Sequence, residues 1–591
     1  MKNIVTPFIL LCSLVSTAQI TQNSQWTWMK GSTEYVPRAF GQYGIKGVAA
    51  ATNTPGARDR SCSWKDNTGN FWVFGGIGFA TEGQNSWGYL NDLWKYDPAT
   101  NIWTWMKGDS TLESFGVYGA KGVAGVTNKP GGRSRSASWK DGAGNLWLFG
   151  GDGRGAINSG NLNDLWKYNP STNIWTWMKG DSTANAGPIY GTQGIEADSV
   201  KPPASFGSVS WADGGGYLWL CGRSSDLWKY NPATNRWAWV KGKVTLNPRY
   251  GTQGVPDSAN TPGDRFSSAS WIDSAGNMWL FGSSDRGDLW KYNPVINQWA
   301  WIKGDTTLRA YAISGTMGIS APANHPGSRI GTVCWKDNLG KFWLYGGTVY
   351  VGTTFIFSQT AGDLWKYDPS NNQWAWMGLQ ANPGVYGVQG TAAATNKPPR
   401  KSYAVSWIDG SGMPWIFGGT RTDFNLYGNE LWKLGNVTGP INTHLCNGNP
   451  GYPAPNYTLT AADTGSSYQW QENTGSGFVN LSGVNTNSLS LSNVPSSSYG
   501  YQYRCLVNGV VNSNLFKLAF NATWTGGTGG AWENAANWSC GVVPDANTDV
   551  IINANAGSPV INYSTSCRSV FLKPATLLTV KSGVALKLTG K

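Results

Sequence analysis

Six copies of one tryptophan-punctuated sentence constrain this chain more than any other feature. Between Arg133 and Gly180 it reads RSRSASWKDGAGNLWLFGG, then a polar glycine-rich insert, then NDLWKYNPSTNIWTWMKG. Four short apolar runs are separated by turn signals: Asp141 and Gly144 between the first two, Asn169 and Pro170 between the last two. That is the pattern of a four-stranded antiparallel meander. One such sheet cannot bury both faces, whereas neighbouring copies can cover one another.

Counting fixes the register. The first strand carries Trp64, Trp139, Trp211, Trp271, Trp335 and Trp407, and the second Trp72, Trp147, Trp219, Trp279, Trp343 and Trp415. The third, written DLWKY five times and ELWKL once, carries Trp94, Trp166, Trp228, Trp290, Trp365 and Trp432. The fourth carries tryptophan pairs at 26/28, 103/105, 175/177, 237/239, 299/301 and 374/376. A fourth-strand segment at Trp26 to Gly31 therefore precedes any first strand, while the sixth copy stops after its third strand at Leu434. The N-terminal strand is expected to complete the last sheet and close a circle without free edges, a six-bladed β-propeller over residues 19–435.

The double glycine after the second strand (Gly75-Gly76, Gly150-Gly151, Gly346-Gly347, Gly418-Gly419) is followed by a tyrosine and a tryptophan at fixed spacing (Tyr96 and Trp103, Tyr168 and Trp175). This resembles the kelch repeat, the central-domain type of galactose-oxidase-like proteins. Copies three and four depart from it, with Cys221-Gly222 and Gly282-Ser283.

Composition agrees with an all-β chain: 78 glycines, 13% aromatic residues and only 13% charged ones. Thirty of the 35 tryptophans fall in the repeats, and each fully buried one contributes roughly 4–6 kcal/mol gross, as an upper bound. They are expected in the core; Trp87, inside an insert, is the propeller tryptophan suited to stacking on a ligand. The formal charge of +12 raises the prior for an anionic partner, but the lysines are dispersed and no basic run points to nucleic acid.

The inserts between strands two and three and the inter-blade connections should share one face. Inserts are long in copies five, six, one and two and short in three and four, giving either a one-sided binding rim or neutral loop drift. Six residues before each first-strand tryptophan stand Arg58, Arg133, Ser205, Arg265, Arg329 and Lys401, with Arg60 and Arg135 two residues further on, expected on the same side of the chain. Converging cations suit a carboxylate or sulfate. The alternative is that the arginines tie blades together through backbone carbonyls, as kelch-like repeats often do. The Asp of each WxD turn, such as Asp66 and Asp141, is expected to cap a hairpin turn.

Residues 1–18 read as a secretory signal peptide, with Lys2, an apolar run from Ile4 to Val15 and small residues at Ser16 to Ala18. Beyond the repeats, 436–520 resembles an immunoglobulin-like module of secreted bacterial proteins, on Cys446, YQWQ with Trp470, and YQYRC. The resemblance implies a Cys446–Cys505 bridge and a tyrosine corner at Tyr503. Residues 521–591 resemble a small β-solenoid-like module, which Cys540 and Cys567 could staple. Cys62, Cys221 and Cys334 read as buried free thiols.

Several chemistries are disfavoured. A copper radical oxidase of the galactose-oxidase kind needs histidine ligands, but of two histidines His325 sits in a variable turn and His444 lies beyond the repeats. Asp264, Asp285 and Glu82 have no assignable place in a glycosidase pair. The DST and DTT tripeptides at Asp109, Asp181 and Asp305 match a short O-glycosylation pattern that chance also produces. The reading is a secreted, monomeric, non-catalytic protein without cofactor or metal, binding a glycan or protein ligand through the loop face. The alternative is a carbohydrate-active enzyme, sialidase-like or oxidase-like, using that face.

Overall fold

Each WxD turn shows why the meander forms. Asp66 Oδ1 accepts the backbone N–H of Thr68 and of Asn70 at 3.0 and 2.9 Å, closing the hairpin, while its Oδ2 accepts the indole N–H of Trp72 at 2.8 Å. The same indole bond recurs at Asp141, Asp213, Asp273, Asp337 and Asp409. One carboxylate thus fixes the turn and the rotamer of the next core tryptophan.

The computed structural model describes residues 24–590 apart from 34–38, 84–86, 223–224, 243–246, 284, 305, 351–357, 379–383, 394, 422–425, 436–440, 447–456, 462–466, 508–509, 512–514, 527–529, 554–556 and 573–575. The signal peptide expected over 1–18 lies outside the described residues, as does Asp305. The chain is all-β in many small sheets and divides into two compact units, one built on Gln25–Gly435 and one on Asn436–Lys591. No helix among the described residues is long and apolar enough to cross a membrane.

In the first unit each repeat is a four-stranded antiparallel meander. The sixth is ordered Gln25–Lys30, Leu431–Gly435, Pro414–Phe417, Val405–Ile408, so the N-terminal strand does pair with the last third strand, Trp26 opposite Leu434 and Trp28 opposite Trp432. First strands neighbour one another in a cycle, from Cys62–Lys65 through the other five and back from Val405–Ile408. The apolar clusters follow the same order, each shared by two consecutive repeats, including the sixth and the first.

The repeat tryptophans are core, with one refinement. The first of each fourth-strand pair is buried, whereas the second is half-buried. A tyrosine from the connecting segment packs edge-on against it: Tyr43 on Trp105 and Tyr118 on Trp177, at 4.9 and 5.0 Å. The long inserts of repeats one and two are extended hairpins, Phe71–Gly78 with Gly88–Asp97 and Leu146–Arg154 with Ser159–Asn169; repeats five and six add short hairpins of their own.

The second unit has a core around Trp470, Leu459, Tyr503 and Phe516. The strand Phe516–Thr523 runs on to pair in parallel with Thr548–Ile552, which pairs in parallel with Ser569–Leu572, so the C-terminal rungs extend the preceding sheet. Two expectations are corrected here. The disulfide joins Cys446 to Cys540, Cα atoms 5.4 Å apart, leaving Cys505 and Cys567 as buried thiols. Cys505 lies in Gln502–Val507 directly opposite Trp470, within the core, while the continuous sheet brings Cys540 to Cys446. The tyrosine corner is also absent: the Tyr503 hydroxyl donates to the Glu472 carboxylate across the ladder.

Candidate functional site

The basic residues six positions before the first-strand tryptophans are spent inside the fold. Arg58 donates from Nη1 to Asp92 Oδ1 at 2.6 Å and from Nη2 to Oδ2 at 2.7 Å, with Nη1 also reaching the Gly75 carbonyl at 3.2 Å. Arg133 pairs likewise with Asp164, Arg265 with Asp288 and Arg329 with Asp363. In repeat six Lys401 takes Glu430 at 2.6 Å, so the change from DLW to ELW accompanies the change from Arg to Lys. All five cations are 1% exposed. They form internal ion pairs within repeats and present no ring of free charges at the mouth. In repeat three Ser205 supplies no cation, and Asp226 is left 1% exposed with Oδ1 unpartnered; burial pushes its carboxyl above the ordinary range.

Two residues further on, the six repeats meet. Arg135 donates its backbone N–H to the Arg60 carbonyl, Gly207 to Arg135, Ser267 to Gly207, Gly331 to Ser267, Tyr403 to Gly331 and Arg60 to Tyr403, all at 2.7–3.1 Å. This hydrogen-bonded cycle is roughly 10 Å across at the backbone, given a strand spacing of ~4.8 Å. All six residues have φ between +46° and +69°. The left-handed turn breaks strand alternation, which is why Arg60 and Arg135 do not share the fate of Arg58 and Arg133 two residues earlier. At Gly331 a Cβ would stand 2.6 Å from the Tyr403 ring, so a side chain there would require that ring to move.

The cycle is chemically lopsided. Repeats six, one and two contribute Tyr403, Arg60 and Arg135, while repeats three, four and five contribute Gly207, Ser267 and Gly331. The position before shows the same split, with Ser402, Asp59 and Ser134 against Phe206, Phe266 and Ile330. The Arg60 guanidinium lies 4.5 Å from the centre of the Tyr403 ring; that of Arg135 lies 5.5 Å from Tyr403 and 5.1 Å from Phe266. Both arginines keep a buried Nε with no partner. A cavity of about 180 Å³ lies along the inner residues of the cycle. Beyond the arginines, Tyr89 donates to Asp152 at 2.5 Å, and Trp87, 58% exposed, stands 6.2 Å from Tyr427.

Asp59 is 1% exposed, its carboxylate within 2.9 Å of Arg60 Nη1. Burial raises its pKa to about 7, against the opposing pull of Arg60 and Arg135. An acid raised in the folded state binds its proton more tightly there, so this contribution is full below the ordinary value near 3.8 and lost as pH rises through about 7. Relative to D59N, the wild type should lose roughly 4 kcal/mol of unfolding free energy between pH 4 and pH 8. Urea titrations at both ends check this; parallel pH profiles for the two proteins would show that Asp59 titrates normally.

The sequence singled out Arg60, Arg135 and Trp87 but not Tyr403, Asp59 or Tyr427, which the structure places beside them. Tabulating the two positions after the basic residue, repeat by repeat, would have exposed the polar and apolar halves. Among the described residues no group of three or more His, Cys, Asp or Glu could hold a metal.

A model for a domain of unknown function, DUF8693, matches residues 523–591. No curated protein matches the chain. Among solved structures, one titled "Structure of YjhT" is similar over 66% of this chain and 95% of that one, at 15% identity and a TM-score of 0.37. At that score the likeness carries no argument about this chain.

Proposed function

We propose that Gln25–Gly435 is a six-bladed, kelch-like β-propeller of a secreted protein that binds, without catalysis, a glycan bearing carboxylate or sulfate groups at the axial mouth. The observation that carries this is the contrast between two sets of cations. Five are buried and consumed by carboxylates, whereas Arg60, held by Asp59 through Nη1 alone, and Arg135 flank Tyr403 with unpartnered Nε groups. Paired guanidiniums supply directed donors to an anion, and Tyr403, Tyr427 and Trp87 supply aromatic surface for a ring. The repeat count, the pairing of Gln25–Lys30 with Leu431–Gly435 and the cyclic order of the first strands support the propeller reading. The immunoglobulin-like module would then act as a spacer.

Titration of the leader-free protein with a panel of acidic and neutral polysaccharides tests this. R60A and R135A should each weaken binding of the acidic glycan by about 2 kcal/mol, roughly thirtyfold. R236A, which removes an exposed surface cation, should leave it unchanged. Unaltered affinity in both axial variants would remove the mouth from the account. The rival enzymatic reading has one observation in its favour, Asp59 beside Arg60 with a proton that leaves near neutrality. Glycan turnover by the wild type that disappears in D59N would replace binding by catalysis.

A further inference from the structure

A second cavity, of about 240 Å³, opens off the axis in repeat five. One side is the connection entering that repeat, with Tyr311 and Ser328; another is its added hairpin, with Gln359; Arg400, from the entry to repeat six, completes it. The Arg329–Asp363 ion pair lies in its wall. Tyr311 is 53% exposed, and Arg400 has a buried Nε with no partner. The arginine is particular to this place, because the corresponding residues in the other repeats are Ala57, Gly132, Ala204, Asp264 and Ser328.

The two cavities are lined by nearby residues of the same two segments. Arg329 lines this cleft and Gly331 the axial cavity; Arg400 lines the cleft and Tyr403 the axial cavity. Separations of two and three residues correspond to at most roughly 7–11 Å of extended chain, about the reach of a disaccharide. The cleft is smaller than the roughly 300 Å³ at which pockets for drug-sized ligands begin, so it suits one ring of a longer molecule. An exposed tyrosine, a primary amide and a guanidinium with an unpartnered Nε together provide a stacking face, a hydrogen-bonding group and an anion partner.

We propose that this cleft is a second subsite, holding the neighbouring unit of an acidic oligosaccharide whose first carboxylate sits between Arg60 and Arg135. The proposal rests on the axial reading and adds to it that the ligand is a chain, recognised in at least two adjacent units. Tyr311 stacks against the second ring, and Arg400 pairs with its acid group.

Calorimetric titration of the full chain with galacturonic acid and its dimer, trimer and hexamer separates the two readings. Affinity should rise at least tenfold from monomer to trimer. Y311A and R400A should each abolish most of that gain while leaving monomer affinity within twofold, and R60A or R135A should weaken every length alike. Because Tyr311 is exposed, Y311A reports on the subsite even if R400A fails to fold. A gain with length that survives both cleft variants, or no gain at all, overturns the second subsite and leaves the axial site standing. Failure of every length to bind, or binding indifferent to R60A and R135A, overturns the axial site and the subsite with it.

Discussion

Replacing Arg133 by alanine is expected to destabilise the Gln25–Gly435 unit by about 3–5 kcal/mol, more than any exposed charge removal. The loss leaves Asp164 buried without the guanidinium that spans both its oxygens at 2.6 and 2.8 Å, and frees the Gly150 carbonyl from its bond to Nη1. Tyr118 and Trp166 still donate to Asp164 Oδ2, so the carboxylate keeps its geometry while losing its countercharge. The sixth repeat suggests the control, because Lys401 and Glu430 perform the same task with matched changes in length. R133K alone should cost more than R133K combined with D164E, with a coupling of about 1–3 kcal/mol in a double-mutant cycle. Urea unfolding of the four proteins measures it. A loss below 1 kcal/mol for R133A would mean that the pair is incidental to the fold. Asp226 shows the unpaired state within the native chain, where Ser205 leaves the carboxyl buried, half-satisfied and harder to ionise.

Removing the strand Gln25–Lys30 should have the larger consequence, loss of cooperative folding of the whole unit. The strand covers the otherwise open edge of Leu431–Gly435, and its Trp26, 2% exposed, packs with Trp343, Tyr345 and Trp432 between repeats five and six. It is also stitched across long sequence separations: Asn396 donates to the Trp26 carbonyl at 3.0 Å and the Ser32 N–H to Asn429 Oδ1 at 3.0 Å. Trp26→Ala alone should cost about 3–5 kcal/mol as a large-to-small core change. Deletion should go further, since it exposes a strand edge and two apolar faces at once. Thermal melts of the variants, with and without a synthetic peptide spanning residues 25–33, provide the check. Partial recovery by the peptide is expected; a deletion variant melting at the wild-type temperature would show that repeats one and six cohere without the strand.

Much of the fold was legible because the repeats carry it redundantly. The WxD turn, the double glycine and the tryptophan register each occur several times, so departures in repeats three and four did not obscure the pattern. The candidate site was legible only in part. Arg58 and Arg60 differ by two positions and read as equivalent under strand alternation, yet Arg60 has φ +55° and its guanidinium lies over the Tyr403 ring. The bonds that decide this run between repeats, from Arg60 to Tyr403 and from Arg135 to Arg60, and no local pattern contains them. Tyr403 was hidden for the same reason. The cysteines behaved alike: proximity of Cys446 to Cys540 follows from a sheet that continues from Phe516–Thr523 into Thr548–Ile552, not from spacing.

The sequence by itself determined the strands, their order within each repeat and the pairing of first strand with last, because alternation and turn chemistry act over a few residues and were written six times. Only the tertiary structure decided which cations are neutralised and which remain available. That outcome depends on carboxylates some thirty positions away spanning both ends of a guanidinium in Arg58 and its counterparts, whereas Arg60 meets only its neighbour Asp59, through one Nη. Burial is a property of the assembled repeats, since each apolar cluster is shared by two of them.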